Sequence, residues 1–399
     1  MDSGPNLPNP LLQNGDLNFA AKRSLLLRLI RAVQPIARTE IAERLKIDKS
    51  TVSENVKPLV NRGILREVTM TTGEPGRRPR VLSFSDDGYF IGVNIGVRHS
   101  QIGVSRLSGE VSDEDEFETP PDVENAIRRV QEKIETIKRA HAGETLWMVG
   151  VSVPGMADAS RRSLVFAPNL GWRNIPIADR LRRVADAGVV VENDSTAAAM
   201  FESRLKLRET ADSNTSNFIL VRSGTGIGVG MVIGGEVYRG TGAGLGMAGE
   251  FGHMTIVAGG KSCVCGNRGC WERYASAASA ASLYLGDRPL RPGETPPRFV
   301  DIVGKAENGD TRSRRTLEKI GDYLGIGIAN VIMATGVPRI IISGRLVYGW
   351  QFIVGPLNDA IRRSIISNMK GWAVEPGSPS GSALGGALEA AVEEYLTTV

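Results

Sequence analysis

His253, Cys263, Cys265 and Cys270 fall within eighteen residues, spaced His-x9-Cys-x-Cys-x4-Cys. They are four borderline or soft donors, the number that a tetrahedral structural zinc site requires. Gly259, Gly260, Gly266 and Gly269 are interspersed among them and let the loop over 253–270 curl back on itself. The chain has only these three cysteines and two further histidines, His99 and His141. Scatter would hardly place every cysteine within eight positions; the competing reading is a group of buried or free thiols. An odd cysteine count also argues against a secreted disulfide framework and points to a reducing cytoplasm.

A second chemistry lies toward the N-terminus. Residues 21–84 carry 14 Lys/Arg against 6 Asp/Glu, a balance of +8, although the whole chain is only +4. Lys49, Ser50, Thr51, Ser53, Asn55 and Lys57 share one stretch, and Arg77, Arg78 and Arg80 come later in a Gly/Pro-rich segment. Small polar groups and amides read base edges in a major groove, while a flexible Arg-rich turn suits phosphates or a narrow minor groove. A solvated basic face is the alternative that charge alone leaves open.

The elements needed to hold those residues are legible. Leu25, Leu26, Leu29, Ile30 and Val33 recur at helical spacing, Thr39 is placed to cap TEIAERL, and Ser50 is placed to cap a third helix with Val52, Val56, Leu59 and Val60 inward. Gly63 stops that helix, and ILREVTM and PRVLSF flank TTGEPGRR as a hairpin. The order predicts a winged helix-turn-helix over 19–84 that binds double-stranded operator DNA, preceded by a disordered arm over 1–18. A protein-interaction module of the same shape is the alternative.

From Tyr89 the pattern turns to strands: YFIGVNIG, QIGVSRLS and GEVSDEDEFET form a meander, then a helix over 122–140 and the buried strand in LWMVGVSVPG. NFILVRSGTGIGVGMVIGGEVYRG opens a second such cycle. Two β-first units with later helices predict an α/β domain over 85–399, two-lobed, with the ligand cleft between the lobes. No apolar run approaches the roughly 20 residues that span a bilayer, and the first residues lack a signal-peptide pattern, so membrane insertion and export are not expected.

IGVNIG, SVPG, APNLGW, ENDSTAAA, SGTGIGVG, GEFGH, CVCGNRGCWE and SALGGALEAA occur in the order seen in the ROK family of repressors and sugar kinases, and the resemblance covers about residues 88–399. With the basic unit in front, the whole chain resembles a ROK transcriptional regulator. The resemblance implies an actin-like, sugar-kinase/ATPase fold, a homodimer or homotetramer, and a structural Zn2+ held by His253, Cys263, Cys265 and Cys270. It also implies a site for a sugar or sugar-phosphate effector at Asn193, Asp194, Glu250 and Glu272, with Asn169 approaching the ligand and Asp194 at the position of a kinase base. His253 is implied to serve twice, one ring nitrogen on zinc and the other on a sugar hydroxyl, a coupling in which the metal fixes the ring.

Phosphoryl transfer needs two phosphate loops as well as a base. Ser223-Gly224-Thr225-Gly226 supplies the second. Where ROK kinases carry Asp-x-Gly-Gly-Thr, this chain reads Asn94-Ile95-Gly96-Val97-Arg98, and its adenine-side segment reads Ser343-Gly344-Arg345. The expectation is a repressor of carbohydrate genes that senses a sugar without turning over nucleotide; a bifunctional sugar kinase is the alternative.

Overall fold

The structure is a computed structural model that describes residues 19–69, 80–209, 217–240, 247–290 and 293–398, with side chains from residue 23 onward. The expected arm over 1–18, and Arg77 and Arg78, lie outside the described residues.

The chain begins with helices α1 (Phe19–Val33), α2 (Arg38–Leu45) and α3 (Lys49–Asn61), with a short strand β1 (Ile36–Ala37) between the first two. Strands β2 (Leu65–Thr69) and β3 (Arg80–Phe84) then pair antiparallel, with β1 on the far side of β3. Two start signals fall elsewhere than expected. Helix α2 starts after Ala37 and α3 after Asp48, neither with a side-chain cap, so Thr39 and Ser50 lie within the first turns. Gly63, at φ +72°, ends α3 as expected. Leu26, Ile30, Ile41, Val52, Val56, Leu59 and Leu82 fill the centre of this unit, and the same cluster continues into Phe90, Leu107, Leu388 and Val392 from later in the chain. The basic unit therefore shares a core with the α/β part of the chain.

Two five-stranded sheets make up the rest, and they repeat one topology. The first holds β4 (Gly88–Asn94), β5 (His99–Ser105) and β6 (Val111–Glu118) as an antiparallel meander, then β7 (Thr145–Val153) and β11 (Gly188–Asn193) added parallel on the other side of β4. Between them, α4 (Val123–Ala140) buries Ala126, Ile127, Val130, Ile134 and Ile137 at helical spacing and is capped by Asp122, which accepts from the Asn125 N–H at 2.9 Å. A small sheet of β8 (Met156–Ala157), β9 (Leu164–Ala167) and β10 (Trp172–Ile175), then α5 (Ile177–Ala185), precede β11.

After β11 comes α6 (Asp194–Glu209), and then the second sheet with β12 (Phe218–Ser223), β13 (Ile227–Ile233) and β14 (Glu236–Tyr238) as its meander. Helices α7 (Glu272–Ala275), α8 (Ser279–Leu285), α9 (Phe299–Glu307) and α10 (Thr311–Thr335) come next. Strand β15 (Arg339–Gly344) joins parallel to β12, α11 (Trp350–Arg362) packs on α10, and β16 (Ala373–Pro376) pairs with β15. The final helix, α12 (Ser382–Thr398), returns to the first sheet and also packs along α6. Its backbone comes so near that a methyl group on Gly150 of β7 would sit 1.8 Å from the Ala387 carbonyl oxygen, and one on Gly386 would sit 2.0 Å from that of Ala197. Thus α6 and α12 form the packed seam between the two sheets. No helix among the described residues is long and apolar enough to cross a membrane.

Candidate functional site

Strand β11 ends and α6 begins at Asn193-Asp194. The Asn193 side-chain oxygen accepts from the Ser195 and Thr196 N–H groups at 2.9 and 3.1 Å, and its amide nitrogen donates to the Gly155 carbonyl at 3.0 Å. Asn193 is thus the N-cap of α6, and one N–H is left to offer a ligand. Asp194 accepts from the Ser195 hydroxyl at 3.0 Å through one oxygen and from Arg222 Nη1 at 2.7 Å through the other.

The segment Gly249-Glu250-Phe251-Gly252-His253 lies flat on β13. Gly249 has φ +103°, and a methyl group there would be 2.0 Å from the Val229 carbonyl oxygen, so only glycine lets this turn seat against the strand. That seating carries Glu250 toward Asp194. Burial raises the Glu250 carboxyl above its ordinary range, against the pull of His253 and reinforced by the charges of Asp194 and Glu272. His253 Nε2 lies 3.7 Å from Glu250 and its Nδ1 lies 3.6 Å from Glu272. Gly226 closes the ring: a methyl group on it would be 2.2 Å from Glu272 Oε2 and 3.8 Å from Asn169 Nδ2. The expected residues Asn169, Asp194, Glu250, His253 and Glu272 are therefore gathered around one space of carboxylates and amides, the chemistry that binds vicinal hydroxyls.

The metal-type donors are gathered as well. The ligand atoms of His253, Cys263, Cys265 and Cys270 lie within 4.8 Å of one another. Bonds of about 2.3 Å to sulfur and about 2.0 Å to nitrogen put tetrahedral donors roughly 3.5–3.8 Å apart. Cys265 and Cys270 sulfurs are 3.7 Å apart, and Cys263 Sγ is 3.6 Å from His253 Nδ1, so the set fits such an ion. Burial pushes the Cys263 and Cys270 thiols up. The loop is anchored by buried Trp271, whose indole N–H donates to the Tyr323 carbonyl of α10 at 2.9 Å. The next residue is Glu272, so the cluster and one of the gathered carboxylates are set by one short segment.

The first-loop residues are otherwise engaged. Asn94 is buried, donates to Gln101 at 3.2 Å and accepts from Ser152 at 3.0 Å, while Arg98 is exposed. Sequence reasoning did not find Arg222, although it directly precedes the Ser223–Gly226 turn. It also missed buried Glu192, which faces Arg239 at 2.8 Å and Arg161 at 3.2 Å and ties the site strand to the second sheet's hairpin. Neither pairing has a spacing signal, because the partners are far apart in the chain.

On the N-terminal unit, Lys49, Ser50 and Lys57 are exposed and Thr51 and Ser53 half-exposed along one side of α3. Asn55 corrects the expectation: it is 2% exposed, and its amide donates to the Thr51 carbonyl at 2.8 Å. A helical turn carries residue 55 to the same face as Val52 and Val56, away from the polar side. Arg80 is exposed at the start of β3 and lies 3.6 Å from Glu67.

The fold and this site define a class: the chain belongs to the ROK family, whose pattern matches residues 90–391. It is 30% identical over 363 residues to the xylose repressor of Bacillus subtilis, covering 89% of this chain and 90% of that protein. A ROK family glucokinase from Streptomyces griseus, solved with glucose and AMPPNP, is 28% identical, superposes with a TM-score of 0.65, and covers 76% of this chain and 99% of its own. A ROK family transcriptional regulator, a homologue of the Escherichia coli MLC protein, shares the fold over 94% of this chain and 97% of its own, with a TM-score of 0.75 at 21% identity.

Proposed function

We propose that this chain is a sugar-responsive, DNA-binding transcriptional repressor of carbohydrate genes, with residues 19–84 as its winged helix-turn-helix and 85–399 as its sensor. The observation that carries the reading is the contrast at the site: the hydroxyl-binding carboxylates are assembled, while Asn94, in the first loop, is consumed by Gln101 and Ser152. The relatives support it. The match to the xylose repressor extends over nearly all of both chains, whereas the glucokinase fits completely within about three quarters of this one.

In this reading Asn169, Asp194, Glu250, His253 and Glu272 accept and donate hydrogen bonds to a sugar such as a pentose or hexose, with the free N–H of Asn193. Asp194 serves as a hydroxyl acceptor steadied by Arg222. His253, Cys263, Cys265 and Cys270 would hold a Zn2+ whose role would be structural, since four protein ligands would leave no open position for water. Bound there, such an ion would hold the His253 ring through one nitrogen and leave the other for a hydroxyl. Lys49, Ser50, Thr51, Ser53 and Lys57 face operator DNA, with Arg80 beside them, in a homodimer or homotetramer. The shared core between α1–α3 and α12 supports coupling, because a sensor movement has no slack linker in which to be lost. The ligand shifts the DNA-competent population only by its differential affinity for the two forms.

One observation favours the kinase alternative: the Ser223–Gly226 turn is intact beside Asp194. Titration of the protein onto its own promoter region, with and without xylose, glucose or N-acetylglucosamine, tests the reading alongside an ATP phosphorylation assay with the same sugars. The expected result is binding that weakens steeply with salt, as phosphate contacts dictate, and is changed by one sugar without turnover. Failure to bind the promoter under every condition, or turnover at ordinary kinase rates, overturns it.

A further inference from the structure

Helix α4 ends on a histidine held between two acids. The His141 backbone N–H closes the last turn on the Ile137 carbonyl at 2.9 Å, so its side chain stands at the negative end of the helix dipole. Its Nε2 lies 2.9 Å from Asp113 Oδ2 on β6, and its Nδ1 lies 3.0 Å from Glu144 Oε1 in the turn that follows. Tyr89 of β4 covers the flat side of the ring, with centroids 4.7 Å apart. Asp113 reaches the ring because β6 bulges there: its register against β5 shifts between Ile102 and Val104, and Asp113 takes φ +49°, in the left-handed region. A bulge re-aims a side chain, and aspartate is among the few residues that tolerate this conformation.

A carboxylate on each ring nitrogen sets the protonation state. Ionised carboxylates only accept, and a neutral imidazole donates from one nitrogen alone, so both bonds form only on the imidazolium. Partial burial opposes that charge, but the hydrogen bonds to Asp113 and Glu144 outweigh it, and His141 titrates above the ordinary histidine range. The His141 bond, followed by one from Arg106, holds Glu144 below the ordinary carboxylate range. The charged groups facing the ring are thus Asp113 from β6, Glu144 from the turn after α4 and, behind Glu144, Arg106 from the end of β5. Burial and the Glu144 charge raise the Tyr89 phenol, so that ring stays neutral over the range in which histidine titrates.

Glu144 passes the contact on to the joint between the two parts of the chain. Its second oxygen accepts from Arg106 Nη2 at 2.5 Å, and Arg106 Nη1 donates to the Asp86 and Gly88 carbonyls at 3.0 and 3.4 Å. Residues 85–87 join β3 of the N-terminal unit to β4 of the first sheet, and Arg66 of β2 pairs with Asp87 there. We infer that His141 is a pH-sensitive clamp on this joint: the imidazolium ties β6 to the Glu144–Arg106 pair that holds residues 86–88, and loss of its proton releases one of the two carboxylates. The sign follows from the raised folded-state value. The clamp's stabilisation is complete below about 6.5, where the unfolded chain titrates, and is lost as pH rises through the folded value. The inference goes beyond sugar sensing and does not depend on it.

Nuclear magnetic resonance of the full-length protein labelled on its histidine rings, titrated from about pH 5.5 to about pH 9, tests it. His141→Gln identifies the His141 signal among those of His99, His141 and His253. The expected result is titration above about 6.5, brought down in Asp113→Asn, an exposed change that keeps the left-handed turn because asparagine also adopts it. Hydrogen exchange over residues 84–90, compared at equal pH, should be slower in the wild type than in His141→Gln at about pH 6, and the two should converge at about pH 9. Asp113→Asn should give the same exchange pattern, so the test stands even where His141→Gln folds poorly. Titration of wild-type His141 at or below the ordinary value, an unchanged value in Asp113→Asn, or exchange equal to that of the variants at both ends of the range would each overturn the assignment.

Discussion

The turn after β4 and the turn after β12 occupy the same place in two sheets of one topology, and they have been put to opposite uses. After β4, Asn94 is locked between Gln101 and Ser152. After β12, Gly224 faces open space and Gly226 lies where Glu272 and Asn169 meet. The difference teaches that symmetry of the scaffold does not preserve symmetry of function. One turn stays open at Gly224 because small residues keep side chains out of it, while the other has become part of its sheet.

The largest break in this comparison comes through the second sheet's metal-type cluster. Cys265→Ser should remove the metal, cost several kcal/mol of stability as folding-coupled ligation is lost, and misplace Glu272. Metal analysis with thermal unfolding checks it, with about one zinc per wild-type chain expected. Gly226→Ala should come next, disturbing Glu272 at a cost of about 1–3 kcal/mol and weakening sugar binding, whereas Gly224→Ala should spare sugar affinity. Calorimetric sugar titration of the two variants separates them. Asn94→Asp restores the carboxylate type of a kinase loop but removes the donor to Gln101. It should lower stability by about 1 kcal/mol in denaturant melts and bring no ATP turnover. Asn55→Ala should have the smallest effect, about 0.5 kcal/mol of stability, because the lost contact is to its own helix. Competition binding should find its sequence preference unchanged.

Local signals served the sequence reading well. Apolar periodicity located α1, α3 and α4, and the Cys/His spacing located a cluster whose atoms do converge. Caps were read less well: the Thr39 and Ser50 hydroxyls looked suited to start helices, but α2 and α3 each begin two residues earlier, without side-chain caps. Asn55 was assigned by residue type, although its spacing from Val52 and Val56 already placed it on the buried face. Long-range pairing was beyond the reach of the sequence. Arg222 on Asp194, Arg239 on Glu192, and the fastening of α1 to Glu236 and Glu389 join residues that only the return of α12 and the stacking of two sheets bring together.

The central claim is that the acid cluster senses a sugar and does not phosphorylate it. Operator affinity of the wild type and of Asp194→Ala, titrated side by side against xylose, glucose and N-acetylglucosamine, tests it most directly. The account predicts that sugar-free binding is nearly equal in the two proteins and that only the wild type responds to sugar. A full sugar response in Asp194→Ala would contradict it.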